Sequence, residues 1–106
     1  MYKIALVCQH GASTGMCVAK MRQVAQERGL ECEIAAYSDT QMENLVEDKD
    51  VILLGPQLGF KKNTFQSNFP DFAHRIDVID AMDFGMMNGD KILDFAIDLI
   101  NSEPTL

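Results

Sequence analysis

An α/β sandwich around a four-stranded parallel sheet is what this sequence of 106 residues predicts, on three observations. Short, nearly continuous apolar runs at Lys3 to Cys8 and Val51 to Leu54 match strands buried on both faces. Amphipathic helical patterns follow them, so that strand and helix alternate four times along the chain. The connections are short enough for the right-handed crossovers that keep such a sheet parallel. With 47% hydrophobic residues, residues 1–106 read as one domain with one core and no need of disulfides or metals.

The elements follow in order. Lys3 to Cys8 is the first strand, ended by the glycine- and hydroxyl-rich turn Gln9-His10-Gly11-Ala12-Ser13-Thr14-Gly15. Cys17, Val18, Met21, Val24, Ala25 and Arg28 then recur at helical spacing, with Ser13 or Thr14 as the expected cap and Gly29 as a left-handed stop. Glu31 to Tyr37 alternates, with Cys32, Ile34 and Ala36 on one side, as in an edge strand. Thr40-Gln41-Met42-Glu43 reads as a capping box for a short helix burying Met42, Leu45 and Val46. Val51 to Leu54 is the third strand, stopped by Gly55-Pro56. Between Leu58 and Phe72, Phe60, Phe65, Phe69 and Phe72 suggest one short helix despite interruptions by Gly59, Asn63, Asn68 and Pro70. Ile76 to Ile79 is the last strand, Asp80 to Gly89 a loop, and Ile92, Leu93, Phe95, Ala96, Leu99 and Ile100 mark the closing helix.

Nine basic against 16 acidic residues give a net charge of -7, which argues against nucleic acid and against an anionic membrane surface. No apolar run is long enough for a membrane span or a signal peptide, so a cytoplasmic protein is expected. Cys8, Cys17 and Cys32 show no C-x-x-C pair. They read as reduced thiols, with no metal site and no cofactor. Every carboxylate falls in Glu27 to Asp50 or Asp71 to Glu103. The acid-free windows, Met1 to Gln26 and Val51 to Pro70, carry Lys3, Lys20, Arg22, Lys61 and Lys62.

In a parallel α/β sheet, ligands sit beyond the carboxyl ends of the strands, which points to the loops after Cys8, Leu54 and Ile79. Cys8 stands at the last position of its strand, and backbone N–H groups from Gln9 to Gly15 are expected to converge on whatever its sulfur carries. Such a nest favours a thiolate and binds anions, while Ser13 and Thr14 add neutral donors. The chemistry this suggests is a nucleophilic thiolate that accepts a phosphoryl group. The alternative is a buried structural cysteine before an ordinary turn. Cys17 and Cys32 fall on inward-facing positions and read as small hydrophobes.

The segments Cys8 to Met16, Val51-Ile52-Leu53-Leu54-Gly55-Pro56-Gln57 and Val78-Ile79-Asp80 closely resemble the enzyme IIB component of the lactose, cellobiose and chitobiose group of the bacterial phosphotransferase system. Asp80 to Gly89 matches that family's segment before the last helix, with Phe84 for a Tyr and Asn88 for an Asp. The resemblance implies a three-layer, flavodoxin-like sandwich of sheet order 2-1-3-4, related to low-molecular-weight phosphatase topology. It implies that Cys8 takes a phosphoryl group from a phosphohistidine of enzyme IIA and passes it to a β-glycoside-type sugar bound by the membrane enzyme IIC. Gln9, His10, Gly11, Ala12, Ser13, Thr14 and Gly15 then form the phosphate loop, and Gly55, Pro56, Gln57 and Asp80 the neighbouring partner loops. The chain is expected to be monomeric when isolated and peripheral to IIC.

Gln9 and His10 are bulkier than the family's usual loop residues, and Gly15 replaces a common Ser. His10 is placed to donate to the phosphoryl group, to meet the partner's histidine, or to stand by. Lys61 and Lys62 are candidate contacts for an acidic or phosphorylated partner. The exposed-methionine pattern Met82, Met86, Met87 suits an adaptable docking surface. Two rivals read the same fold differently. A low-molecular-weight phosphatase or thiol arsenate reductase needs C-x-x-x-x-x-R, and the Arg position here is Thr14; without that cation the main clamp on the transition state is missing. A flavodoxin-like or receiver-like module needs ring-flanking aromatics or paired acids after the first strand, and neither is present.

Overall fold

The computed structural model describes residues 1–8 and 11–102, and of residues 11–13 the backbone. Strand β1 (Tyr2–Cys8) leads into helix α1 (Gly11–Glu27), followed by β2 (Cys32–Ser38), α2 (Met42–Asp48), β3 (Val51–Leu54), α3 (Lys62–Asn68), β4 (Ile76–Val78), α4 (Ala81–Gly85) and α5 (Gly89–Asn101). Short 3₁₀ turns occupy Asp39–Gln41, Pro56–Lys61 and Pro70–Arg75. All strand pairs are parallel and the sheet order is β2-β1-β3-β4, the order expected from the sequence.

Alternation within β1 sends residues to the two faces of the sheet. Ile4 and Leu6 join Cys17, Val18 and Met21 of α1 and Ile92, Leu93 and Ala96 of α5 in one core; Ala5 and Val7 join Met42, Leu45 and Val46 of α2 and Leu58 in the other. Three layers result. The central strand has no wet side: Ile4 to Val7 are wholly buried, and truncating such a residue costs about 2–5 kcal/mol. Both sheet edges are covered by side chains that take up outward carbonyls. Arg22 Nε donates to Ile34 O on β2 at 2.8 Å, and Gln66 Nε2 donates to Ile76 O on β4 at 2.9 Å.

Several boundaries differ from the sequence reading. Helix α1 begins at Gly11, so Ser13 and Thr14 lie inside it and not at its N-cap; burial of Thr14 against the fold outweighs its weak helix propensity. Gly29 does adopt a left-handed φ of 68°. The edge strand runs one residue later, and Ala36 is exposed while Cys32 and Ile34 face the core. The capping box sits at Ser38 and Gln41, two residues before the expected one: Thr40 N donates to Ser38 Oγ and Ser38 N to Gln41 Oε1. The region Leu58 to Phe72 holds α3 flanked by 3₁₀ turns; Phe65, Phe69 and Phe72 are partly buried, but Phe60 is 73% exposed and belongs to no apolar face. Asp80 to Gly89 is not a loop, because Asp80 caps α4 within it.

Candidate functional site

Cys8 is the last residue of β1 and is 6% exposed. Its Cα partner across the edge is Ser38. On the other side, Gly55 N donates to Val7 O at 2.8 Å, which places the exit of β3 directly beside it. A Cβ at Gly55 would stand 3.7 Å from Cys8 Cβ and only 2.9 Å from Gln57 Oε1. Gly55 is therefore the residue without a side chain that lets the Gln57 amide fold back toward the cysteine, while Pro56 starts the 3₁₀ turn at a position whose N–H needs no partner. The carboxyl ends of β1 and β3 are neighbours, as the sheet order requires.

From the cysteine the chain enters α1. Gln9 and His10 fall outside the described residues, as do the side chains of Ala12 and Ser13. The backbone from Gly11 onward is helical, so the N–H groups of Gly11 to Thr14 have no acceptor within the helix. They form the positive end of a dipole 17 residues long. The expected seven-residue nest is thus largely a helix first turn. No acidic residue occupies that turn. Thr14 is 1% exposed, and its Oγ1 is buried with no hydrogen-bond partner among the described residues. A buried unpaired hydroxyl costs about 1–3 kcal/mol. Its position in the sequence gave no hint of this, since it read as a cap. Gly15 is exposed, and among the described residues nothing lies within 4 Å of where its Cβ would be.

Asp80 reaches the same edge of the sheet through Ile79 N, which donates to Leu54 O at 2.9 Å. Its carboxylate already has partners: Met82 N and Asp83 N both donate to Oδ2 at 3.1 Å. Asp80 and Asp83, with Val78, Ile79, Ile92 and Phe95, line a pocket of 280 Å³. Two carboxylates make it the wrong sign for a phosphoryl group. Met82 and Met86 on α4 are 70% and 67% exposed, and Met16 is 56% exposed. Met87, grouped with them in the sequence reading, packs partly buried against the first core at a φ of 53°.

Burial disfavours the thiolate at the other two cysteines. Burial pushes the Cys17 thiol above its ordinary pKa, and the thiol donates to Phe84 O at 3.6 Å. Burial also raises Cys32, partly offset by the N-terminal ammonium. Four of the five cations of the acid-free windows have partners elsewhere in the molecule. Lys61 pairs with Asp39 and Lys62 with Asp77, each at 2.9 Å, Lys3 reaches Asp48 at 3.8 Å, and Arg22 caps the β2 edge. Lys61 and Lys62, the candidate partner contacts, are each paired within the molecule while staying partly exposed. Among the described residues, no cluster of His, Cys, Asp and Glu forms a metal site.

A family model described as "PTS system, Lactose/Cellobiose specific IIB subunit" matches residues 3–95. The chain belongs to this family of phosphotransferase-system IIB components. A galactose-specific EIIB component of Lactococcus lactis subsp. cremoris is 40% identical over 103 residues, covering 92% of this chain and 95% of its own. The solution structure of a cellobiose-specific IIB component from Borrelia burgdorferi superposes with a TM-score of 0.83 at 33% identity, covering 99% of this chain and 96% of that one. A lactose-specific EIICB component of Lacticaseibacillus casei is 23% identical over 94 residues, 87% of this chain but 16% of that much longer one. As a IIB component the chain is a phosphotransferase for lactose- and cellobiose-type sugar uptake.

Proposed function

We propose that Cys8 is the phosphoryl carrier of this IIB component and that residues 1–106 act as one IIB domain. The Cys8 sulfur attacks the phosphorus of a phosphohistidine on enzyme IIA. The P–N bond breaks, a P–S bond forms, and the thiol proton leaves with the histidine nitrogen. In the second step a sugar hydroxyl, on a sugar bound by enzyme IIC, attacks the same phosphorus. The P–S bond breaks, sulfur departs as thiolate, and the hydroxyl proton passes to a base.

The observation that carries this reading is the junction after β1. A cysteine ends the strand where a long helix offers first-turn N–H groups, no acidic residue and a buried Thr14 hydroxyl with no partner among the described residues. Those donors suit the three oxygens and double negative charge of a phosphoryl group. The neutral Thr14 in place of an arginine also suits a carrier, because a thiophosphate must outlast water until the sugar arrives. Gly55, Pro56 and Gln57 pack beside the cysteine, and the exposed Phe60, Met82 and Met86 follow β3 and β4 on the same edge. This edge is the face we assign to IIA and IIC in turn. The EIICB relative supports IIC as a partner, since a stretch like this chain occurs there within one longer polypeptide. Among the described residues no helix is long and apolar enough to cross a membrane, and we place the chain in the cytoplasm, peripheral to IIC and monomeric alone.

Intact mass after incubation with phosphorylated IIA tests the assignment. Wild type should gain one phosphoryl group and Cys8→Ala none. A gain that persists in Cys8→Ala would refute it.

A further inference from the structure

The sequence places every carboxylate outside the two windows that surround Cys8, but the sheet brings one back. Ser38 is the Cα partner of Cys8, and Asp39 follows it. Paired strands lie about 4.8 Å apart and successive Cα atoms about 3.8 Å, which puts the Asp39 Cα within roughly 9 Å of the Cys8 Cα. That separation is comparable with the screening length of about 8 Å at physiological ionic strength. An unbalanced carboxylate there would oppose a doubly negative phosphoryl group.

The carboxylate is not unbalanced. Lys61 Nζ donates to Asp39 Oδ2 at 2.9 Å, with the Asp39 side chain only 17% exposed and the Lys61 side chain 34%. The pair links two segments that leave the sheet on opposite sides of β1, the turn after β2 and the turn after β3. Ser38 Oγ donates to Asp39 Oδ1 at 3.4 Å, so the carboxylate is held from both sides. The hydrogen bond from Lys61 keeps the Asp39 carboxyl below its ordinary pKa, and it stays ionised.

We infer that Lys61 is a positioning residue for phosphoryl transfer: its ion pair with Asp39 across the end of β1 cancels a carboxylate that the sheet carries up to Cys8. This rests on Cys8 being the phosphoryl carrier. It also separates two roles for Lys61, since a lysine that serves to neutralise Asp39 is dispensable once Asp39 is neutral, whereas one that grips the partner or the phosphoryl group is not.

The test is the equilibrium of phosphoryl transfer from phosphorylated IIA, read by intact mass, for wild type, K61R, K61Q, D39N and D39N/K61Q. Two charges against one at this range are worth roughly a five- to tenfold shift. K61Q should lose that much phosphoryl occupancy, K61R should match wild type, and D39N/K61Q should recover to within about twofold of it. An unchanged K61Q would overturn the inference, as would a K61Q deficit that persists in D39N/K61Q. If the wild type takes up no phosphoryl group on Cys8, the carrier reading itself has failed, a result distinct from either.

Discussion

Two strand-to-helix junctions stand on the same edge of the sheet, and they treat the helix N-terminus in opposite ways. After β4, Asp80 supplies its own anion: the carboxylate accepts from Met82 N and Asp83 N, and Asp83 adds a second acid to the first turn of α4. After β1, the first turn of α1 contains no acid, and the Thr14 hydroxyl beside it is buried without a partner among the described residues. One junction is satisfied within the chain. The other has no acid of its own in its first turn, and it is the one that follows Cys8. A helix start alone does not make a phosphate site; what distinguishes this one is an acid-free first turn beside a buried Thr14 hydroxyl.

The sharpest way to break that contrast is to give α1 the acid that α4 already has. Gly15→Asp meets no atom within 4 Å at its Cβ, and side chains on a helix lean toward its N-terminus. The variant should fold normally yet accept phosphoryl from IIA about tenfold less, or worse, at equilibrium. Gly15→Asn, the neutral control, should stay within about twofold of wild type. Equal loss in both would assign the effect to shape instead of charge.

Thr14→Val removes the unspent hydroxyl at nearly constant volume. Phosphoryl occupancy on Cys8 should fall roughly three- to tenfold, while stability in urea holds or rises by up to about 1 kcal/mol, because a buried unpaired polar group is gone. A variant that loses stability instead would show the hydroxyl to be paired in solution. The smallest effect on transfer belongs to the other junction. Asp80→Ala should cost about 1 kcal/mol of stability through the lost cap, with the equilibrium occupancy of Cys8 under saturating phosphorylated IIA unchanged.

Much of this arrangement is legible in the residues. Ile4 to Val7 and Val51 to Leu54 are apolar without interruption because both faces of the strands they form are covered, and Gly29 stops α1 through a backbone angle that side chains avoid. Cys8 itself is conspicuous as a thiol ending a strand before glycines and hydroxyls. What stayed hidden depends on tertiary contact. Gly11 to Thr14 have loop-like propensities, and only the burial of Thr14 turns them into a helix start. Asp80 to Gly89 reads as a loop because a five-residue helix ending in a glycine has no room to show periodicity. Asp39 and Lys61 are 22 residues apart, and nothing in their spacing pairs them; the register of β2 on β1 and the path of the chain after β3 do. The charge windows are real in sequence, yet four of their five cations pair with Asp39, Asp77, Asp48 and the β2 edge.

The most direct test of the contrast between the junctions is a map of backbone amide shifts before and after phosphorylation of the ¹⁵N-labelled protein by IIA. The account predicts the largest shifts at the N–H groups of the first turn of α1 and at Thr14, with Met82 and Asp83 nearly unmoved. Shifts centred on α4, or a phosphorylated protein whose α1 amides do not respond, would contradict it.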